Sequence, residues 1–454
     1  MTAEAPAPRD APRHVLILGA GFAGLECARR LANDRRFVVT LVDRTNHHLF
    51  QPLLYQVATA SLAGPDIARS IRQILEGARN VTVLMDEIVS LHPAEHYALG
   101  LSGHRFSYDY LVLAVGARTS FFGNDKWEQN TLGLKTLADA QAIRRQVLSN
   151  LERAELSEDP AEQRKLMTIV IVGGGPTGVE LTGAFVDLIH RSLRTNFRRI
   201  NTRKLRVILI EGSERILEPY DESQSEYARQ RLLKIGAEVL TNTRVVDVLP
   251  QKVILQSGES IEAAAIIWAA GVRANSLTAD LGLPRNRAGN LTPELDLSLP
   301  GNPEIFVTGD IVSMQDAAGV RVPALAPAAT QMGKHVALLL KEELRLEGTR
   351  FAAQKLSLRP KFTYFDKGTM AIIGKNHAVM QAGRLKARGF IAWLAWLFIH
   401  ILLLIGFRNK IAVLLGWAYA YVRNNPEARI IINPPTAFPP SGPGSPPSPT
   451  VSSN

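Results

Sequence analysis

A strand–glycine turn–helix pattern occurs twice in this chain, and no other feature restricts its fold so tightly. The first copy reads His14-Val-Leu-Ile-Leu-Gly-Ala-Gly-Phe-Ala-Gly24 and the second Thr168-Ile-Val-Ile-Val-Gly-Gly-Gly-Pro-Thr-Gly178. Each opens on an unbroken apolar run, as a parallel strand covered on both faces requires. Three glycines in G-x-G-x-x-G spacing follow, and then a segment able to form a helix. One such match is weak. A strand before it, a helix after it and an acidic residue closing the next strand make it a dinucleotide fingerprint. Gly19 permits the tight turn, Gly21 lets backbone approach a pyrophosphate, and Gly24 lets helix and strand pack closely. The free N–H groups and positive dipole at the helix start favour phosphate. Asp43 ends the strand Phe37-Val-Val-Thr-Leu-Val-Asp43, where a carboxylate can accept from ribose hydroxyls. Gly173, Gly175, Gly178 and Glu211 repeat this set, with a longer interval that falls in the polar stretch 191–204.

The remaining strand candidates fall in βαβ order and predict an α/β fold of two nested Rossmann-like units with a C-terminal helical region. Tyr110-Leu-Val-Leu-Ala-Val-Gly116 and Ile266-Ile-Trp-Ala-Ala-Gly271 close the two halves. Ile305-Phe-Val-Thr-Gly-Asp310 then reads as a strand returning to the first unit, so the second is inserted within it. The expected division is a flexible leader over 1–13, a discontinuous first unit over 14–130 and 285–350, and a second unit over 131–284. Short strands over 355–384 and membrane-associating helices are expected within 351–432, and a disordered Pro/Ser-rich tail over 433–454. A helix from about Pro327 to Glu347 places Pro at its start, where the missing N–H costs nothing.

Composition excludes several chemistries. The chain has 454 residues and a single cysteine, Cys27. One cysteine supplies no disulfide framework, no redox-active pair and no thiolate metal site; its place in the first helix makes it a small buried hydrophobe. A net charge of +10 suits an acidic dinucleotide or an anionic membrane. Basic helices with interleaved aromatics are missing, so no nucleic-acid partner is expected. Neither HExxH nor GxxxxGK[ST] occurs, and no metal is expected. The leader is rich in Ala and Pro without an apolar core, which argues against a secretory signal and keeps the body in the cytoplasm.

Beyond the glycine loops, the chain resembles the type II, non-proton-pumping NADH:quinone oxidoreductases of the two-dinucleotide flavoprotein superfamily, over most of residues 14 to 432. The resemblance is carried by Gly19-Ala-Gly-Phe-Ala-Gly24, Asn46-His-His-Leu-Phe-Gln-Pro-Leu-Leu-Tyr55, Gly173-Gly-Gly-Pro-Thr-Gly-Val-Glu-Leu181 and Thr308-Gly-Asp310. Gly389-Phe-Ile-Ala-Trp-Leu-Ala-Trp and Gly406-Phe-Arg-Asn-Lys410 narrow it further. It implies FAD held non-covalently by the outer unit, through Gly19, Gly21, Gly24, Asp43, Arg44, Gln51, Ala114, Gly116, Gly309 and Asp310. It implies NADH on the inserted unit, through Gly173, Gly175, Gly178, Glu211 and Gly271. A carboxylate at Glu211 bonds a free 2′-hydroxyl and repels a 2′-phosphate, so NADH is expected to be preferred over NADPH; Arg215 nearby is read as a solvated charge. The family's A-Q-x-A-x-Q quinone motif is matched by Ala326-Pro-Ala-Ala-Thr-Gln331, with Pro327 replacing the first Gln. Ala326, Ala329 and Gln331 are therefore the quinone-binding candidates. Glu180 is a candidate proton donor with a raised pKa, and Lys375 a candidate facing the flavin. His47 and His48 are read as packing or flavin-contact residues. The implied reaction is NADH oxidation by FAD followed by two-electron reduction of ubiquinone or menaquinone, feeding a respiratory chain; a homodimer is expected.

Residues 389–407 are apolar except for His400, carry Trp393 and Trp396 on one helical side, and are flanked by Lys386, Arg388, Arg408 and Lys410. Aromatic and basic residues flanking an apolar helix mark an element that seeks the membrane interface. The run is close to spanning length, but residues 411–422 are too short to span. Two helices lying in one leaflet are expected, and with the resemblance this implies peripheral attachment to the cytoplasmic face of a bacterial inner membrane. A sulfide:quinone oxidoreductase is the nearest rival and needs cysteines beside the flavin, which one helical Cys27 does not provide. A redox sensor of the apoptosis-inducing-factor type would bind NADH without quinone turnover. A structural adaptor would have no use for two intact dinucleotide loops.

Overall fold

The computed structural model describes residues 11–189, 193, 196–347, 349, 351–423 and 429–431. Most of the leader and all of the expected 433–454 tail lie outside these residues. Along the chain, β1 (Arg13–Leu18) leads through the first glycine turn into α1 (Phe22–Leu31). β2 (Phe37–Asp43), β3 (Val81–Met85) and β4 (Tyr110–Leu113) follow. The chain then builds α2 (Leu137–Leu156), β5 (Thr168–Val172), α3 (Pro176–Asp187), β6 (Arg206–Ile210), β7 (Glu238–Leu240) and β8 (Ala265–Trp268). It returns as β9 (Asn302–Val307) and α4 (Ala326–Leu346).

Two parallel sheets result. In the first, the neighbours run β9-β4-β1-β2-β3, with the short strand Ser298–Leu299 antiparallel at the β9 edge. In the second they run β8-β5-β6-β7. Each glycine turn therefore follows a central strand at the point where strand order reverses, the place at which such sheets bind ligands. β9 pairs in parallel with β4, Ile305 opposite Leu111, so the second sheet is built within an excursion from the first. The two connecting strands, Ala117–Thr119 and Val272–Ala274, pair with each other. Part of the stretch that lengthens the path to Glu211 is outside the described residues; its end is a short 3-10 turn, Thr202–Lys204.

Apolar strand residues explain the layering. Val15, Leu16 and Ile17 of β1, and Val170 and Ile171 of β5, have no exposed surface, because helices or loops cover both faces. α4 crosses α1 closely enough that a Cβ on Gly333 would fall 2.1 Å from the carbonyl oxygen of Ala23. Only glycine allows that crossing, and it brings the start of α4 to the first glycine turn.

After α4 the chain differs from expectation. Strands were expected from residue 355, but they begin at β10 (Thr369–Ile372) and continue as β11 (Ala378–Ala382) and β12 (Leu385–Gly389). The apolar C-terminus forms α5 (Phe390–Leu403) and α6 (Phe407–Arg423), broken at Leu404 to Gly406. Among the described residues no helix is long and apolar enough to cross a membrane. The orientation of the tryptophans corrects the sequence reading. Trp396 is fully buried and stacked on His400 at 3.8 Å, and Trp393 packs on Phe390 and Tyr421. Ile391 (74% exposed), Phe398 and Phe407 (79%) face outward instead. The Trp396 indole is consumed in fixing α5 to the body, whereas Trp393 stays half-exposed between the two helices. His400, the polar interruption, is desolvated there, which lowers its pKa to about 4 and keeps it neutral.

Candidate functional site: one cleft shared by two glycine-loop units

The two glycine turns are built alike down to single contacts. Gly19 (φ +99°) and Gly173 (φ +112°) occupy backbone conformations closed to other residues. A Cβ on Gly24 would lie 1.9 Å from the Gly19 oxygen, and one on Gly178 would lie 1.9 Å from the Gly173 oxygen. By contrast Gly21 and Gly175 would place a Cβ in open space. They cap α1 and α3 without any side-chain hydrogen bond, which leaves the first-turn N–H groups directed outward. Each strand-end carboxylate also clasps its own turn. Asp43 accepts from Ala20 N at 2.7 Å and from Thr45 N and Oγ1. Glu211 accepts from Gly174 N and Ser213 N. Arg215 donates to the carbonyls of Glu218 and Tyr220 rather than to Glu211.

A cleft of ≈ 370 Å³ opens at the first turn. Of the residues singled out in the sequence, Gly19, Gly21, Asp43, Arg44, Gln51, Ala114, Gly116, Glu180, Gly309, Asp310, Ala326 and Ala329 line it, as does His47. Gly24 lies beneath it as a packing residue. A smaller cavity of ≈ 90 Å³ continues past Asp43 and Arg44. The residues present fit a flavin dinucleotide: exposed backbone at Gly21 and an uncapped helix start suit a pyrophosphate, and the carboxylates of Asp43 and Asp310 suit ribose and ribityl hydroxyls. Gly173, Gly175, Gly178, Glu211 and Gly271 are not in this cleft. Thr177 and Glu180, one helical turn apart on α3, are, so the second unit's helix forms one wall of the first unit's cleft.

Glu180 is almost enclosed, with a window onto the cleft. Burial pushes its carboxyl up to about 8, and the Ile372 N–H, 3.4 Å from Oε1, offsets this only in part. The indole of Trp396 also favours the carboxylate, although its N–H is buried and lies outside hydrogen-bond geometry. At neutral pH Glu180 is a protonated acid facing the cleft.

Gln331 and Lys375 lie elsewhere. Both ends of the Gln331 amide bind the backbone of Phe365, Nε2 to the carbonyl and Oε1 to the N–H. Lys375 donates to the Tyr421 carbonyl at 2.8 Å with its ammonium 4.2 Å over the Tyr421 ring, so it fastens α6 to the sheet. His48 is buried and bonds the Ala20 carbonyl. Among the described residues no cluster of His, Cys, Asp and Glu could hold a metal ion.

Sequence reasoning missed three residues. Lys135 lines the cleft beside Asp310; desolvation lowers its pKa, and Asp310 acts in the opposite direction. Its signal was legible, since Thr136 and Asp139 form a capping box at the start of α2, and Asp139 also accepts from Lys135 N. Tyr55 and Gln56 had no such signal. Trp417 donates to Gln56 Oε1 at 2.7 Å, and Gln56 Nε2 donates to the Tyr55 hydroxyl at 3.0 Å. Tyr55 in turn lines the cleft with Glu180. A hydrogen-bond chain thus runs from α6 to the cleft wall.

Two glycine-loop units meeting at one cleft define a dinucleotide-dependent oxidoreductase architecture, and the pyridine nucleotide-disulphide oxidoreductase family matches residues 13–333. The chain is 39% identical to the type II NADH:quinone oxidoreductase Ndh of Mycobacterium tuberculosis, over 92% of this chain and 90% of that protein. It is 38% identical to NdhA of the same organism, over 90% and 87%. The NDH2 structure from Plasmodium falciparum in complex with NADH superposes with a TM-score of 0.83 at 21% identity, covering 92% of this chain and 99% of that one. The chain belongs to the type II NADH:quinone oxidoreductase family.

Proposed function

We propose that this protein oxidises NADH and reduces a membrane quinone through FAD bound in the ≈ 370 Å³ cleft, without moving protons across the membrane. The observation that carries the reading is the shared cleft, in which α3 of the second unit presents Thr177 and Glu180 beside the first unit's glycine turn. When bound, a flavin supplies the two-electron relay between a hydride donor and a quinone. The chain's residues orient, shield and move protons. Gly21 and the first turn of α1 hold phosphates, Asp43 a ribose, and Gly309 and Asp310 the ribityl region; Arg44, Gln51, Ala114 and Gly116 complete the wall. The turn at Gly173, Gly175 and Gly178, with Glu211 and Gly271, holds NADH. Ala326 and Ala329 leave a smooth apolar wall for the quinone ring, while Gln331 acts indirectly by fixing the segment at Phe365. Glu180 keeps a proton at Oε1 or Oε2 at neutral pH, ready for the reduced product. The outward apolar faces of α5 and α6 support attachment to the cytoplasmic face of a bacterial inner membrane, where the quinone resides.

Purified protein is expected to be yellow, to bleach faster with NADH than with NADPH, and to recover colour when a ubiquinone or menaquinone analogue is added. A colourless protein that takes up no flavin overturns the proposal; bleaching without quinone-dependent recovery moves it to a redox sensor. Glu211→Ala tests the nucleotide assignment. Removing a charged acceptor is worth about 1.5–3 kcal/mol, so the NADH-over-NADPH ratio of kcat/KM is expected to fall about tenfold or more, and KM for NADH to rise as Gly174 loses its clasp. An unchanged ratio counts against Glu211 as the ribose partner.

A further inference from the structure

At the edge of the helical surface lies a separate cavity of ≈ 360 Å³, lined in part by Arg69, Ser70, Gln73, Glu76, Arg408 and Asn409. Its electrostatics are unbalanced. Arg69 is half-buried, and its Nη1 lies against the backbone of Gly406, 2.4 Å from where a Cβ would stand. Gly406 opens α6, its carbonyl accepting from Lys410 N. The first turn of that helix contains no acidic residue and contributes Arg408 instead. Two arginines thus line one cavity at a helix start, where the dipole is positive and cations are disfavoured. Among the described residues neither arginine takes part in an ion pair or a side-chain hydrogen bond, and Glu76 on the rim pairs with neither. Asn409 holds the geometry in place: it is buried, and its Nδ2 donates to the carbonyls of Pro65 and Asp66. The backbone that carries Arg408 is therefore fixed against the segment at Pro65 and Asp66. Phe407, 79% exposed, stands next to it, and Leu414 and Leu415 continue the apolar face along α6.

We propose that this pocket binds the phosphate of an anionic phospholipid headgroup, whose acyl chains lie along the exposed apolar face of α6. The inference rests on the membrane-surface reading above and names the chemistry that reading lacks. A phosphodiester offers the bidentate acceptor that a guanidinium matches, and its negative charge reverses the penalty at the helix start. The adjoining apolar face favours a lipid over a free ion.

The test is vesicle co-sedimentation of the flavin-loaded full chain, on phosphatidylcholine with and without phosphatidylglycerol. The wild type is expected to bind phosphatidylglycerol vesicles at least about tenfold more tightly. Arg69→Gln/Arg408→Gln is expected to lose most of that gain, and Arg408→Gln alone, at a position without packing, part of it. Arg35→Gln/Arg287→Gln removes the same charge from other exposed sites and is expected to retain the gain. Equal losses in both double variants reduce the effect to net charge and overturn the proposal, as does full retention in Arg69→Gln/Arg408→Gln. Inorganic phosphate titrated into the wild type separates the sources: saturable binding lost with Arg69 and Arg408, together with no vesicle effect, assigns the pocket to a free anion and overturns the lipid. NADH turnover with a water-soluble quinone in detergent is read in parallel. Its loss in the wild type counts against the proposed reaction, not against the pocket.

Discussion

Gly24→Ala is expected to give a colourless, destabilised protein, whereas Gly21→Ala is expected to fold normally and lose only the flavin. The difference follows from what each added methyl meets. At Gly24 it lies 1.9 Å from the Gly19 carbonyl oxygen, a backbone atom that cannot swing aside. Relief requires α1 to lift from β1, at the cost of overpacking a well-formed core, about 1–3 kcal/mol. At Gly21 the backbone is extended and nothing lies within 4 Å, so alanine fits the apoprotein and obstructs only a ligand pressed against the turn. The second turn gives the matching case. Gly178→Ala, with its methyl 1.9 Å from the Gly173 oxygen, is expected to be destabilised in the same way, to lose bleaching by NADH and, because α3 walls the cleft, to keep only part of its flavin. Flavin content by absorbance, thermal melting and NADH bleaching separate the three. A Gly24→Ala protein that retains flavin and wild-type melting overturns the packing argument.

Glu180→Gln is expected to slow quinone reduction roughly 10²-fold at neutral pH, the lower end of what a positioned acid–base group contributes. Its carboxyl is held at about 8 because burial disfavours the charged form. Wild-type turnover should therefore decline as pH rises through 8, and the variant should lack that limb. Stability offers an independent readout. The folded-state value lies above the ordinary 4.5, so the folded protein holds a proton that the unfolded chain releases. The contribution is fully present below 4.5, falls as pH rises, and is gone above about 8. The slope is at most about 1.4 kcal/mol per pH unit, and less where cleft water reaches the carboxyl. Chemical denaturation across this window should show the wild type losing stability relative to Glu180→Gln as pH rises, since the lowered His400 tilts both curves alike. Parallel curves would remove Glu180 from the proton path.

What was legible in the sequence was what local chain geometry dictates. Gly24 and Gly178 are required by contact with the turn five residues back, and Gly19 and Gly173 by their positive φ, so their spacing alone reports the turns. Glu180 was legible through the resemblance, as the Val-Glu pair that follows the second glycine loop; the structure adds that it shares a helix face with Thr177. The same periodicity argues against Gln331. Ala326 and Ala329 stand nearly one turn apart and both line the cleft. At 3.6 residues per turn, Gln331 points well away from Ala329, and its amide is satisfied by Phe365. Lys375, Tyr55 and Trp396 depend on how α5 and α6 pack against distant segments, which no local pattern records. Trp393 and Trp396 were read from their shared helical side and basic flanks as interface residues; aromatic stacking in the core claimed Trp396 instead.

The chain of bonds from Trp417 through Gln56 to Tyr55 has a practical consequence for anyone wanting a water-soluble form of this protein. Cutting the chain before α5 would not trim a detachable anchor. It would take away Trp396 behind Glu180 and the partner of Gln56, and so dismantle a wall of the cleft. Solubility has to be engineered from the outside, by polar replacements at Ile391, Phe398 and Phe407, whose side chains face away from the body.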